Sequence, residues 1–280
     1  MATNVFLMVL FSAVLHAIWN GMASKYKDKN ISIPAIVYGH VPLCIIAIII
    51  FPAPSIESFP YIIMSGLIHQ GYQNFLLTAY QTGKYTTVYP VARGFGPLVA
   101  TVISIIFLGV YLKAFTILSI LLISSGVMFI GLYSKSVIRN YKILYTSLGT
   151  GVFIGIYSVV DGQGARISGS AISYMSWVFI FSALFFPIVL HFRKQKNILS
   201  KTLTKGKFVF WIGGTFSYLA YMITVWAFTK APIPMVSALR ESSIIIAIFI
   251  GYFYLKEKIN FYKIISICLI FIGVIGLKLF

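Results

Sequence analysis

The most regular feature of the sequence is a series of long apolar runs separated by short polar connections. Each run has about the length of a helix that crosses a bilayer. Ten runs are visible, at residues 4–24, 31–51, 60–82, 86–108, 113–133, 145–165, 169–192, 208–230, 232–255 and 260–279. The strands of a membrane barrel would instead give short segments of alternating polarity. The pattern therefore predicts an all-α membrane protein with ten transmembrane helices.

The composition supports this class of protein. Hydrophobic residues make up 59% of the chain and charged residues only 10%, whereas a soluble domain has about 25% charged residues. The connections between the runs are too short to hold a soluble domain, and the longest covers residues 193–207. We therefore expect the function to be carried out within the membrane.

Two weak internal matches indicate that the chain contains a repeat. Shifting the sequence by 147 residues places Arg93 opposite Arg240, and shifting it by 138 residues places Trp19 opposite Tyr157. The two matches divide the ten predicted helices into two groups of five. Because five is an odd number, the two groups would cross the membrane in opposite senses.

We therefore predict two inverted five-helix repeats, residues 1–140 and residues 141–280. We call these two ranges the first half and the second half of the chain. Inverted repeats are common in secondary transporters, and the substrate site of such proteins lies between the repeats. The prediction places the candidate site at the interface of the two halves.

The net charge of +17 comes from 22 Lys and Arg residues against 5 Asp and Glu residues. In a soluble protein this excess would suggest nucleic acid as a partner. Here most of the basic residues lie in short loops, where they indicate topology and contact with anionic lipid headgroups. Loops after the odd-numbered helices hold most of them. This asymmetry predicts that those loops are cytoplasmic and that both termini lie outside the cell.

Arg240 and Glu241 are adjacent charges inside the ninth apolar run. A charge at the centre of a membrane helix costs about 3 kcal/mol even on a lenient scale, and such residues normally face a partner or an aqueous cavity. The arginine fork suits a carboxylate, phosphate or phosphonate group. Arg93 occupies the equivalent place in the first half, and proline and glycine residues near both arginines predict weakened helices. Fixing the helix packing is the alternative role.

Helix 1 carries His16, Trp19 and Asn20 at spacings of three and four residues. These spacings place the three side chains on one face of the helix. The face could form a cavity wall or a polar contact between helices. No second histidine follows one turn later and no cysteine or aspartate lies nearby, so we do not predict a metal site.

The third run has an unusually polar middle. Gln70, Gln73, Asn74 and Gln81 can share one broad face of the helix, and His69 precedes them. Amide groups are costly to bury without a hydrogen bond. These side chains must therefore either bond to other helices or face water, and the sequence leaves both possibilities open.

The sixth run places Asp161 one helical turn after Tyr157. Asp161 could be a structural cap, with Arg166 as a candidate partner, or it could bind an ion or a substrate. The eighth run adds an aromatic stripe that includes Tyr221, which could form packing contacts or part of a site.

Four stretches resemble the drug/metabolite transporter superfamily, EamA type. They are "HAIWNGMASK" (16–25), "YPVARGFGP" (89–97), "YSVVDGQGARISGS" (157–170) and "SALRESSIIIAIFIGYFYLKE" (237–257). The resemblance implies ten helices in two inverted five-helix repeats, with a central cavity lined by both. It also implies a carrier of small metabolites, often amino acids or other zwitterions.

Together these observations predict a secondary transporter in a bacterial inner membrane. Its substrate would be a small polar metabolite, such as an amino acid, another zwitterion or an organic anion like a phosphonate, moved by alternating access. The predicted substrate-binding residues are Arg93, Arg240, Glu241, Trp19, Asn20, Gln73, Tyr157 and Tyr221. The candidates for a coupling proton are His16, Asp161 and Glu241.

Other classes of function remain open at this stage. An intramembrane enzyme, a non-transporting membrane partner or sensor, and a channel are the alternatives. The sequence shows no nucleophile–base pair and no cofactor motif, so we expect neither enzymatic activity nor a cofactor. The expected partners are a small-molecule substrate and membrane lipids but no nucleic acid, and a homo-oligomer is possible.

Overall fold

The computed structural model describes residues 1–26, 28–83, 85–133, 140–194, 197–256 and 259–279. Several basic loop residues on which the predicted orientation depends lie outside these ranges; they are Lys27, Lys84, Lys135, Arg139, Lys196 and Lys258. The placement of both termini outside the cell therefore stays a prediction.

The described part of the chain is almost entirely helical. In the first half, the helices are α1 (Thr3–Lys25), α2 (Lys29–Gly39), α3 (Val41–Ile50), α4 (Phe59–Thr82), α5 (Tyr85–Leu108) and α6 (Ala114–Leu132). In the second half, they are α7 (Tyr141–Ile167), α8 (Ala171–Phe192), α9 (Ile198–Thr204), α10 (Gly214–Phe228), α11 (Ile233–Arg240), α12 (Ser243–Leu255) and α13 (Phe261–Leu279). A π-helical turn, Val209–Gly213, precedes α10.

The predicted class, an all-α membrane protein, is confirmed. Within the described ranges, 9 helical segments are long and apolar enough to cross a membrane. Helix α4 is also long enough, with 24 residues, but its polar middle separates it from the others in composition. The total of ten spanning helices therefore stays a prediction.

Exposure of side chains follows the pattern of a protein surrounded by lipid. Large apolar side chains lie on the outside, for example Ile49 at 77% and Phe107 at 77% exposure. A few charged side chains lie inside, among them Arg93 and Arg240, each at 3% exposure, and Asp161 at 0%. Because lipid cannot hydrogen-bond a charged group, the interior is the place where these groups find partners.

The ninth apolar run forms two helices rather than one. The backbone N–H of Glu241 donates to the oxygen of Ala238 at 3.0 Å, and that of Ser242 donates to the oxygen of Leu239 at 3.1 Å. These bonds to the third preceding residue tighten the turn and interrupt the α-helical ladder. Helix α11 ends at Arg240 and α12 begins at Ser243, so the charged pair lies at the interruption.

Helix α5, by contrast, continues through Pro90 and Pro97. The weakened helix that we predicted around Arg93 is therefore absent, and the nearby glycines have a packing role. A Cβ atom on Gly94 would lie 2.7 Å from the backbone oxygen of Ser124, and one on Gly96 would lie 2.5 Å from Cγ2 of Ile154. The absence of a side chain at both positions lets α5 approach α6 and α7 closely.

The two halves pack against each other through their first helices. Helix α1 lies against α10 and α12, and α7 lies against α4 and α5. Each first helix thus contacts the third and fourth spanning segments of the other half. In each half, the first helix therefore packs against the other half, as expected for two repeats related by symmetry. The division into inverted repeats at residues 1–140 and 141–280 remains a prediction.

We predict that Gly273→Ala destabilises the protein, whereas Gly21→Ala does not. A Cβ atom on Gly273 would lie 2.7 Å from the backbone oxygen of Ser119 and 2.6 Å from Cγ1 of Ile123. Separating α13 from α6 should cost about 1–3 kcal/mol. At Gly21 the nearest atom, Cγ2 of Ile250, is 3.9 Å away, so alanine should add about 0.5–1 kcal/mol of helix stability. Unfolding titrations in mixed micelles would measure both, and equal stability of the two variants would contradict the prediction.

Candidate functional site

A cavity of about 120 Å³ lies between the two halves. The first half contributes side chains from α1, α2, α4 and α5, and the second half contributes side chains from α7, α8, α10 and α11. Of the residues predicted from the sequence, those that line it are His16, Trp19, Asn20, Gln73, Arg93, Tyr157, Tyr221 and Arg240. The fold thus brings these separate stretches of the chain to one place.

Arg93 and Glu241 form a buried ion pair across the interface of the halves. Nε of Arg93 lies 2.8 Å from Oε2 of Glu241. The pair joins α5 to the interruption between α11 and α12. We predicted that Glu241 binds substrate. In the structure its carboxylate pairs with Arg93, and Glu241 is not among the residues that line the cavity.

Arg240 has a different environment. Within the part of the chain that the structure describes, it forms no ion pair. Its guanidinium carbon lies 5.2 Å from the centre of the Tyr221 ring, a distance at which the ring face attracts a cation. Nε of Arg240 is buried and has no hydrogen-bond partner. The cavity therefore contains a cationic group that no carboxylate of the described residues neutralises by direct pairing.

Other polar atoms around the cavity are also buried without a protein partner. They are Nε1 of Trp19, Oγ of Ser32, Nε2 of His40, Oε1 of Gln73 and Nη2 of Arg93. Leaving a buried polar atom unpaired costs about 1–3 kcal/mol. Their side chains all line the same cavity, and a ligand bound there could satisfy these atoms. Nε1 of Trp19 and Nη2 of Arg93 are hydrogen-bond donors, as the recognition of an anion requires, whereas Oε1 of Gln73 is an acceptor.

The predicted polar face of helix 1 is turned towards the cavity. Nε2 of His16 lies 2.7 Å from the hydroxyl of Tyr89, and its ring meets Trp19 edge to face at 5.0 Å. The side-chain amide of Asn20 donates to the backbone oxygen of His16 at 2.9 Å. These contacts fix the orientation of His16 and leave the indole of Trp19 towards the cavity.

Asp161 is wholly buried and is held by three side chains. The hydroxyl of Tyr221 donates to its Oδ2 at 2.7 Å, and that of Tyr174 donates to its Oδ1 at 3.3 Å. Nε2 of His69 lies 3.4 Å from Oδ2. Arg166, the candidate partner suggested by the sequence, instead donates to the backbone oxygens of residues 228 and 231.

Several residues of the site were missed at the level of the sequence. His69 precedes Gln73 by one helical turn, so the spacing alone places it on the same face of α4. Its ring stacks on Tyr157 with the centres 4.4 Å apart. His40 stacks on Phe179 at 4.1 Å. Nothing in the local sequence marks His40, which lies between the end of α2 and the start of α3.

Some amide side chains of α4 bond to another helix, and one faces the cavity. The side-chain amide of Gln70 donates to the backbone oxygen of Ser182 on α8 at 3.0 Å. The side-chain oxygen of Asn74 accepts from Arg193, at the end of α8, at 2.8 Å. Gln73 is the amide that lines the cavity. Among the described residues, no group of three or more His, Cys, Asp or Glu side chains could hold a metal ion.

Comparison with known proteins places this architecture in a family. The sequence model of the EamA-like transporter family matches residues 142–279. Through this half, the chain belongs to the EamA-like transporter family. This family is part of the drug/metabolite transporter superfamily, so the resemblance seen in the sequence is confirmed. The protein is a multi-pass membrane transporter of this type, and membership in a transporter family argues against an enzyme.

A solved structure extends the likeness to the whole chain. It is described only as "Crystal structure of protein", and it matches with a TM-score of 0.75 over 100% of this chain and 98% of its own length. The sequences are 13% identical, so the likeness shows a common fold alone. No curated protein matches the sequence.

We predict that Glu241→Gln strongly destabilises the EamA-like protein. Removing one partner of a buried ion pair leaves the other charge uncompensated, which costs about 3–5 kcal/mol. Replacing both partners, by Arg93→Met together with Glu241→Leu, should cost less than the single change. Thermal unfolding of the purified variants would measure this order.

The matched control is Glu57→Gln, because Glu57 is exposed in the connection before α4. This control should unfold like the natural protein. A Glu241→Gln variant that is as stable as the Glu57→Gln variant would show that the buried pair does not join the halves.

Proposed function

We propose that this EamA-like protein is a secondary transporter of a small organic anion, moved by alternating access between the two halves. The observation that carries the proposal is the unequal environment of the two buried arginines. Glu241 neutralises Arg93, whereas Arg240 forms no ion pair within the described ranges and lines the cavity. A substrate anion would supply a direct partner for the Arg240 guanidinium.

The unpaired atoms define what the substrate must offer. Nε of Arg240, Nη2 of Arg93 and Nε1 of Trp19 are donors without partners, and they suit the oxygens of a carboxylate, phosphate or phosphonate. Oε1 of Gln73 is an acceptor without a partner, and it suits a hydroxyl or ammonium group elsewhere on the substrate. Amino acids and other zwitterions therefore belong to the proposed class, whereas simple amines do not.

The size of the cavity agrees with a small metabolite. A volume of about 120 Å³ has room for roughly ten water-sized groups. The rings of Tyr72, Tyr157 and Tyr221 form part of its wall, and they would contact the apolar atoms of a substrate. Asn20 lines the same space and would help to orient the ligand.

Alternating access would follow from movement of one half against the other. The Arg93–Glu241 pair and the interruption between α11 and α12 lie at the boundary that such a movement must change. Interrupted helices that place polar groups near a central site are common in secondary transporters. We propose that this boundary opens alternately towards the two sides of the membrane.

We further propose that the protein resides in a bacterial inner membrane with both termini outside. The basic residues in the loops after the first, third, fifth, seventh and ninth apolar runs support this orientation. The exposed apolar side chains would contact lipid tails, and the basic loops would contact anionic headgroups. A homo-oligomer remains compatible with this arrangement.

We predict that a thermal-shift screen of the purified protein will find stabilisation by anions and not by amines. The probes are methylphosphonate, inorganic phosphate, acetate, glycine and methylammonium, each at several concentrations. A ligand that binds the folded state raises the melting temperature as its concentration rises. An anion that does so would then be tested for uptake into sealed proteoliposomes.

Arg240→Gln should weaken binding of that anion about 10- to 100-fold, since hydrogen bonds to charged groups contribute about 1.5–3 kcal/mol each. Arg240→Lys should retain part of the affinity because it keeps the charge and loses the fork. The matched control is Lys113→Gln, which neutralises an exposed cation at the start of α6. Equal binding by the Arg240→Gln and Lys113→Gln variants would contradict the proposed function.

A further inference from the structure

We propose that His69 and Asp161 form a proton-binding site that is coupled to anion binding at Arg240, so that one proton moves with each anion. This inference rests on the proposed function and adds the coupling ion to it. It is carried by a cluster of side chains that joins the two halves beside the cavity.

The first observation is the isolation of the Asp161 carboxylate. Its side chain is wholly buried, and its hydrogen bonds come from Tyr174, Tyr221 and His69. The two tyrosine hydroxyls are neutral groups near pH 7, because phenols titrate near pH 10. Within the part of the chain described, no Lys or Arg forms an ion pair with this carboxylate. His69 is thus the neighbour that can balance its charge by taking a proton.

The second observation is the position of the imidazole. Nε2 of His69 faces Oδ2 of Asp161 at 3.4 Å, so Nδ1 is the nitrogen that would receive the added proton. His69 lines the cavity, which gives the ring a route to water. Protonation converts a pair with one negative charge into a neutral imidazolium–carboxylate pair. No other group has to gain or lose a proton in this step.

The third observation is the link to the anion site. Tyr221 donates its hydroxyl to Asp161 at 2.7 Å, and its ring lies 5.2 Å from the guanidinium carbon of Arg240. The cation of Arg240 therefore opposes a second positive charge on His69. An anion on Arg240 cancels this repulsion, because opposite charges in a poorly solvated site interact strongly. Binding of the anion thus favours binding of the proton.

The coupling acts in both directions. If the anion raises the affinity for the proton, the proton must raise the affinity for the anion by the same factor. Ligands that favour each other's binding in one site are carried together, so the structure favours cotransport over exchange. His69 belongs to the first half and Asp161 to the second. Movement of the halves would change their contact and provide a step at which the proton is released.

The remaining charged and titratable groups around this pair do not replace it. The other charged and titratable groups that line the cavity near the pair are Tyr72 on α4 itself, His40 between α2 and α3, Tyr157 on α7 and Arg93 on α5. Arg93 is neutralised by Glu241. Protonation of Glu241 would leave Arg93 without its partner, and His16, which bonds to Tyr89, forms no carboxylate contact in the described ranges. Of the three proton candidates drawn from the sequence, the geometry favours Asp161.

The first test uses the proton alone as the probe. The chain has 4 histidines, and nitrogen NMR of the histidine-labelled protein in bilayers can follow each imidazole between about pH 5 and pH 8. Asp161→Asn should change the titration of one imidazole, and His69→Gln should remove that same signal. The exposed His191, near the end of α8, should be unaffected. Four unchanged titrations in a folded Asp161→Asn variant would overturn the proposal.

The second test measures coupling in proteoliposomes with an inwardly directed proton gradient. Methylphosphonate is the first probe, followed by any other anion of the screen that stabilised the protein. The natural protein should accumulate the anion, and proton entry reported by an internal pH dye should accompany it. Asp161→Asn and His69→Gln should lose gradient-driven accumulation but still exchange internal for external anion.

The matched control is Asp28→Asn, since Asp28 is exposed and asparagine can replace aspartate as the cap of α2. It should accumulate anion like the natural protein. If Asp161→Asn and His69→Gln both accumulate anion as this control does, the proton site is wrong while the transporter function stands. If the natural protein moves none of the anions, the proposed function itself fails.

Discussion

The arrangement of the site depends on the cost of placing charge inside a membrane. Arg93 is buried deep in the protein, and Glu241 offsets that cost through a 2.8 Å ion pair. The two residues come from different halves of the chain, so the pair exists only when the halves are assembled. Once Glu241 is committed to Arg93, Arg240 is left as a buried cation beside the cavity. The proposed preference for an anion rests on this division.

The interruption between α11 and α12 makes the division possible. In a continuous helix, adjacent residues point in directions about 100° apart. At the interruption, Arg240 lines the cavity whereas the carboxylate of Glu241 reaches Arg93 on α5. At this turn some backbone N–H and C=O groups lie outside the regular hydrogen-bond pattern of the α-helix. Such groups are tolerated at membrane depth only where they are buried in protein or line a cavity. Position, charge and backbone geometry therefore support one another at this point of the chain.

The sequence was sufficient for the class of fold because long apolar runs of spanning length are typical of transmembrane helices. It also identified several of the polar residues that line the cavity, since polar residues inside such runs are costly and face the interior. It did not show that the two arginines have unequal roles. The 147-residue shift that aligns Arg93 with Arg240 aligns Glu241 with Gly94, so the first half has no equivalent carboxylate. Only the contact between the halves shows that Glu241 pairs with Arg93.

Other features also depended on contacts between distant parts of the chain. The role of Asp161 could not be read from its own helix, because its partners lie on α4, α8 and α10. Arg166, five residues away in sequence, was a plausible partner but bonds to backbone oxygens instead. The junction of α2 and α3 at His40 and the interruption at Glu241 both lie inside apolar runs, so the apolar pattern does not record them.

The central claim is that Arg240 is the anion site while Arg93 stays paired with Glu241. An experimental structure with bound methylarsonate tests it most directly, because arsenic can be located by its anomalous scattering. We expect one arsenic position inside the cavity, with the arsonate oxygens bound to the Arg240 guanidinium and the Arg93–Glu241 pair intact. An arsonate bound elsewhere, together with Arg240 paired to a carboxylate of the protein, would contradict it.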